Sequence, residues 1–93
     1  SLTFEPVDPI RFPALELTRR AMLEGPSAMV ALNASNEVAV AAFLAGKISF
    51  LSITRTIADT LERTESVALE SLEAIMEADR QARTTAEELL CKH

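Results

Sequence analysis

The run from Ala28 to Ala45 constrains this chain more than any other stretch. Nearly every position in it is apolar, and the polar exceptions are gathered rather than scattered. At about 100° per residue, Asn33, Asn36 and Glu37 fall at i, i+3 and i+4, one patch on one side of a helix. Ser35 points elsewhere, and the remaining surface is Ala, Val, Leu, Met and Phe. A helix apolar almost all round belongs in the middle of a domain. An unpaired polar group buried there costs roughly 1–3 kcal/mol, so the patch is expected to meet partners on other segments.

The rest of the chain reads as a sheath around this helix. Ninety-three residues make one domain. Aromatic residues are few, and Ala, Leu and Glu dominate, which favours helix over strand. Residues 1–12 carry Pro6 and Pro9 without a helical period and read as an extended linker arm, with Phe4, Ile10 and Phe12 as apolar anchors. Pro13 suits the first turn of a helix running to about Glu24 and stopped by Gly25-Pro26. One face of it carries Ala14, Leu17 and Ala21 beside Leu15, Thr18 and Met22.

Ser27 is the expected N-cap of the second helix, about 28–45, with Gly46 as its left-handed stop. Ile48 and Phe50, in the connector that follows, should tuck under the bundle. Ser52 is expected to cap a third helix, about 53–64, with Ile53, Ile57, Thr60, Leu61 and Thr64 inward. On its outer side Asp59 and Arg63 have the favourable i, i+4 order. Residues 65–70 read as a loop, and Ser71 caps a fourth helix, about 72–90. Its apolar face is Leu72, Ile75, Met76, Ala82, Ala86 and Leu90, with Leu89 beside it. Four such helices with short connections predict an all-α fold, a small antiparallel four-helix bundle over 13–93 preceded by the arm.

Charge and composition exclude several functions. A formal charge of −5 argues against nucleic acid and against an anionic membrane surface. No apolar run reaches spanning length without polar interruption, and the first residues lack a signal-peptide pattern. The single cysteine, Cys91, rules out an internal disulfide and fits a reducing, cytoplasmic setting. It lies at a fraying terminus without a base beside it and is no nucleophile. The one histidine is the last residue, which removes His-based catalysis. Two glycines leave no phosphate loop or dinucleotide fingerprint. The three methionines read as core filler, and Glu70, Glu73 and Glu77 as a solvated face near a helix N-terminus.

Two polar groupings remain. Asn33, Asn36 and Glu37 offer oxygens to a hard metal, but with no second carboxylate nearby in sequence they fall short of a metal site. They read instead as a hydrogen-bond network tying the central helix to a loop or terminus. Asp79 interrupts the apolar face of the fourth helix, and Arg83 can fold back on it. Carboxylate catalysis would need a second perturbed group and a cleft. Asp79 is expected to accept from the N–H groups of an adjoining helix start, with Arg83 holding it ionised. No catalytic, cofactor-binding or metal-binding residue emerges, and Asn33, Asn36, Glu37, Asp79 and Arg83 form a candidate structural network.

The residues also carry a resemblance. Leu2-Thr3-Phe4, Asp8, the stretch from Arg11 to Leu17, and the stretch from Ala31 to Leu44 resemble the C-terminal region of 1-deoxy-D-xylulose 5-phosphate reductoisomerase. The connector from Gly46 to Ile53, Ser71-Leu72-Glu73, Glu77-Ala78-Asp79 and Ala82-Arg83 are similar too. Two departures stand out: Ser52-Ile53-Thr54 replaces a common Asp-Ile-Pro helix start, and the Gly-rich turn before the second helix is reduced to Gly25-Pro26-Ser27. The resemblance implies a homodimeric enzyme of the non-mevalonate isoprenoid pathway, using NADPH and a divalent metal, Mg or Mn. It implies upstream NADPH-binding and catalytic domains in the same chain, with this stretch as a non-catalytic helical domain behind a linker. The alternative is a free-standing helical interaction module that shares only the bundle.

Overall fold

The computed structural model describes residues 13–92. The expected arm at residues 1–12 lies outside the described residues. Four helices follow in order: α1 (Pro13–Glu24), α2 (Pro26–Leu44), α3 (Phe50–Arg63) and α4 (Leu72–Lys92). No strand occurs among the described residues.

Helices α1 and α2 are joined by Gly25 alone. Its φ of 112° is open only to a residue without a side chain at low cost, and its carbonyl accepts from Met29 N at 3.2 Å. Gly25, not Ser27, is therefore the N-cap, because Pro26 occupies the first helical position and biases the residue before it out of the helical region. Ser27 is buried instead, and its hydroxyl accepts from Val67 N at 3.2 Å, pinning the α3–α4 loop to the start of α2. At the other end Gly46, φ 75°, donates to Phe43 O while Lys47 N donates to Ala42 O, a two-bond stop that satisfies the last carbonyls.

The third helix starts earlier than expected. Ser49 caps it by accepting from Ser52 N at 3.3 Å, so Phe50 becomes its first residue and points outward, 70% exposed. Its ring meets Phe43 edge-on, centroids 5.8 Å apart, rather than entering the core. Ser71 accepts from Ala74 N at 3.0 Å at the start of α4. Asp59 and Arg63 do not pair among the described residues.

Helix α2 touches all three others, whereas α1 and α4 do not meet. The described residues extend 44 × 34 × 19 Å, two helix layers thick. Consecutive helices run antiparallel, which leaves α2 and α4 parallel, and here they are direct neighbours. Glu37 reaches Arg83, while Ala41 and Ala45 share a recess with Glu87 and Leu90 further along both helices.

The core is built from Leu17, Ala21, Ala28, Ala31, Ala34, Ile57, Leu61 and Ala82, with Leu32, Ile53 and Ala58 packed against it. So many alanines let the helix axes approach closely. The fully buried polar side chains are Ser35, Thr56 and Thr60. Each hydroxyl donates to a carbonyl one turn back: Ser35 to Ala31 O at 2.7 Å, Thr56 to Ser52 O at 2.8 Å, Thr60 to Thr56 O at 2.7 Å.

Several expected core residues are outside. Leu15 and Met22 of α1, and Leu72, Ile75 and Met76 of α4, are exposed, as is Met29 of α2. No methionine fills the core. The reason is that α1 and α4 never close over the outer side of α2, so among the described residues Leu17 and Ala21 on α1 and Ala82, Ala86 and Leu89 on α4 are the apolar side chains buried in the interior. By length and hydropathy alone α2 qualifies as a spanning segment, with mean hydropathy 1.3. Its packing against three helices is that of a core helix.

Candidate functional site

The polar patch of α2 faces outward. Asn33, Asn36 and Glu37 are all exposed, along with Met29, Ala41 and Leu44 on the same arc. The expectation of a buried patch fails because burial went to the opposite arc, Ala28, Ala31, Ala34, Ser35 and Ala39, whose small side chains admit neighbouring helices. Neither Asn33 nor Asn36 makes a side-chain hydrogen bond among the described residues.

Glu37 does find a partner. Arg83 on α4 donates from Nη2 to Glu37 Oε2 at 2.5 Å and from Nε to Asp79 Oδ2 at 2.7 Å. One guanidinium thus clamps a carboxylate from each of two parallel helices, and these two hydrogen bonds, the Asp79 one first, raise its already high pKa. Among the described residues Asp79 accepts no backbone N–H. It sits midway along α4, level with the body of α2 rather than with a helix start. The five residues singled out in the sequence therefore divide: Glu37, Asp79 and Arg83 form one ionic bridge, and the two amides stand beside it.

Asn33 lies where two recesses meet. One, of about 240 Å³, is lined by Leu17, Thr18, Met29, Leu32, Asn33, Asn36 and Ile57. The other, of about 470 Å³, is lined by Met29, Val30, Asn33, Ile75, Met76 and Asp79. Beyond the ionic bridge a third recess, of about 530 Å³, continues between α2 and α4 toward Leu90 and Cys91. The first two share Met29 and Asn33 and form a trough on the outer arc of α2, walled by α1 and α4.

Both carboxylates are engaged by Arg83, and among the described residues no three His, Cys, Asp or Glu side chains gather to hold a metal. The two amides offer donors and acceptors to whatever lies against them. A second ionic cluster, on α4, is solvated: Arg80 and Gln81 donate to Glu77, and these bonds, Arg80 first, lower its pKa from 4.5 to about 2. Sequence reasoning missed the buried hydroxyls Ser35 and Thr56. The four-residue spacing of Thr56, Thr60 and Thr64 was the available signal, since each can bond the carbonyl one turn before it.

Comparison with known proteins places this geometry. A 1-deoxy-D-xylulose 5-phosphate reductoisomerase of Geotalea daltonii is 47% identical over 89 residues, covering 96% of this chain and 23% of that protein. One from Acinetobacter baumannii is 45% identical over 89 residues, with 96% and 22% covered. Among solved structures, the 1-deoxy-D-xylulose 5-phosphate reductoisomerase of Zymomonas mobilis in complex with NADPH matches with a TM-score of 0.86 and 39% identity, over 97% of this chain and 24% of that one. The chain thus spans less than a quarter of the length of these relatives. The family model for the DXP reductoisomerase C-terminal domain matches residues 1–85. With that match over most of its length, and the same four-helix fold in a relative, the chain belongs to the DXP reductoisomerase C-terminal domain family.

Proposed function

We propose that this chain is the helical C-terminal part of an enzyme that rearranges 1-deoxy-D-xylulose 5-phosphate and reduces the product with NADPH to 2-C-methyl-D-erythritol 4-phosphate. The domain itself is a scaffold that braces the catalytic part of the same polypeptide. The observation that carries this reading is the family match over residues 1–85, in relatives more than four times as long. The parent protein is a cytoplasmic homodimer that works with Mg or Mn.

The residues present do not fit NADPH or a metal. Glu37 and Asp79 are spent on Arg83, and both glycines terminate or join helices instead of forming a cradle for phosphate. No step of the reaction is assigned to this domain.

The test is to express the full-length protein and follow NADPH oxidation with 1-deoxy-D-xylulose 5-phosphate, with Mg or Mn and then with a chelator. Metal-dependent turnover by the full-length protein and none by the 93-residue chain is the expected result. Turnover by the short chain, or an inactive full-length protein, overturns the reading.

A further inference from the structure

The outer trough of α2 lacks what a solvent-facing helix surface usually carries. Along 19 residues, roughly 28 Å, α2 has one charged side chain, Glu37, and Arg83 already neutralises it. Around that bridge lie exposed Met29, Ile75, Met76 and Leu72, with Asn33 and Asn36, whose amides make no side-chain hydrogen bond among the described residues. The outer face of α1 is different. Its exposed Met22 and Leu23 are flanked by Arg19, Arg20 and Glu24, with Arg20 and Glu24 paired across one turn. The stretch lined by Met29, Val30, Asn33, Ile75, Met76 and Asp79 is apolar, dotted with hydrogen-bonding groups, and its one charge is paired with Arg83; such a surface is built to be covered.

We infer that the trough between α1 and α4 is the docking face for the upstream part of the same polypeptide, and that Met29 and Met76 are its apolar anchors. This rests on the reading of the chain as one domain of a longer reductoisomerase. Two observations select that occupant. Some three quarters of the relatives' length lies outside the matched region. Residues 1–12 join the domain at Pro13, and one turn later Leu17 and Thr18 line the trough together with Asn33 and Asn36. Covalently tethered mass delivered beside a surface meets it at an effective concentration on the order of millimolar, which a free second copy does not match. The outward amides suit an arriving backbone, since each can donate to a carbonyl and accept from an N–H.

The methionines supply an internal test. Met22, at 67% exposure on the charged face of α1, and Met76, at 62% in the trough, are equally open in this domain. In the full-length protein, peroxide oxidation is read residue by residue by peptide mass spectrometry. Oxidation of Met76 and Met29 at least tenfold slower than Met22 is the expected outcome, with the protection unchanged on dilution. In the same protein Met76→Lys lowers the melting temperature and Met22→Lys does not. Equal oxidation of Met22 and Met76 overturns the inference while leaving the enzymatic reading intact. Protection that disappears on dilution to the monomer overturns it in favour of a second copy. Failure of the parent reading is registered separately, as absent turnover.

Discussion

The inner arc of α2, Ala28, Ala31, Ala34, Ser35 and Ala39, is sealed by neighbouring helices, whereas Met29, Asn33, Asn36 and Glu37, one side chain away around the same helix, face solvent. The difference lies in how each polar group can be satisfied. The Ser35 hydroxyl donates to Ala31 O within its own helix and asks nothing of a partner. An amide carries two donors and a carbonyl that its own helix cannot meet, so burying it requires groups from elsewhere. Glu37 needs a cation and, among the described residues, obtains one by reaching Arg83 on α4. In this domain close packing selects small side chains and self-satisfied hydroxyls, and the larger polar groups remain on the open arc.

Substitutions can break this contrast. Leu61→Ala, in the buried cluster, is expected to cost about 2–5 kcal/mol in denaturant unfolding. Met76→Ala, on the open face, should stay within about 0.5 kcal/mol in the 93-residue chain. Comparable losses for the two would mean that the trough is part of the core. Ala34→Leu tests the inner arc from the other direction: with no free surface at Ala34, overpacking should cost about 1–3 kcal/mol. A neutral result would show that α2 and its neighbours are not closely apposed.

Smaller effects sharpen the electrostatic side. Arg83→Met removes two half-exposed ion pairs and should cost about 0.2–1 kcal/mol, less at high salt, because exposed pairs are screened. A loss several times larger, insensitive to salt, would mean that the bridge is buried. The smallest effect concerns Glu77. Its folded pKa, about 2, lies below the ordinary 4.5, so the pairing contribution is present above pH 4.5 and is lost as the pH falls through about 2. Arg80→Ala should return the Glu77 carboxyl midpoint toward 4.5 in an NMR titration, with the fold unchanged.

Much of the fold was legible because its signals are local. Apolar spacing separates the helices, Gly25-Pro26 and Gly46 mark breaks, and Ser71 caps α4 as its position suggests. The caps at Gly25 and Ser49 were misread where two candidates stood within a few residues. In one case the constraint Pro26 places on its predecessor decided, in the other the hydrogen bond from Ser52 N to Ser49. The candidate site was legible as a list of residues but not as an arrangement. Arg83 to Asp79 is a one-turn contact that spacing anticipates, while Arg83 to Glu37 joins residues 46 apart.

Periodicity and composition, then, determined that this chain makes four helices around an alanine-rich rod, since both depend on residues within a few turns of one another. Which side of the rod is covered was decided by tertiary structure alone. α1 and α4 pack on α2 without meeting each other, and the patch of Asn33, Asn36 and Glu37 marks one side of α2 without deciding whether that side meets solvent or buried partners.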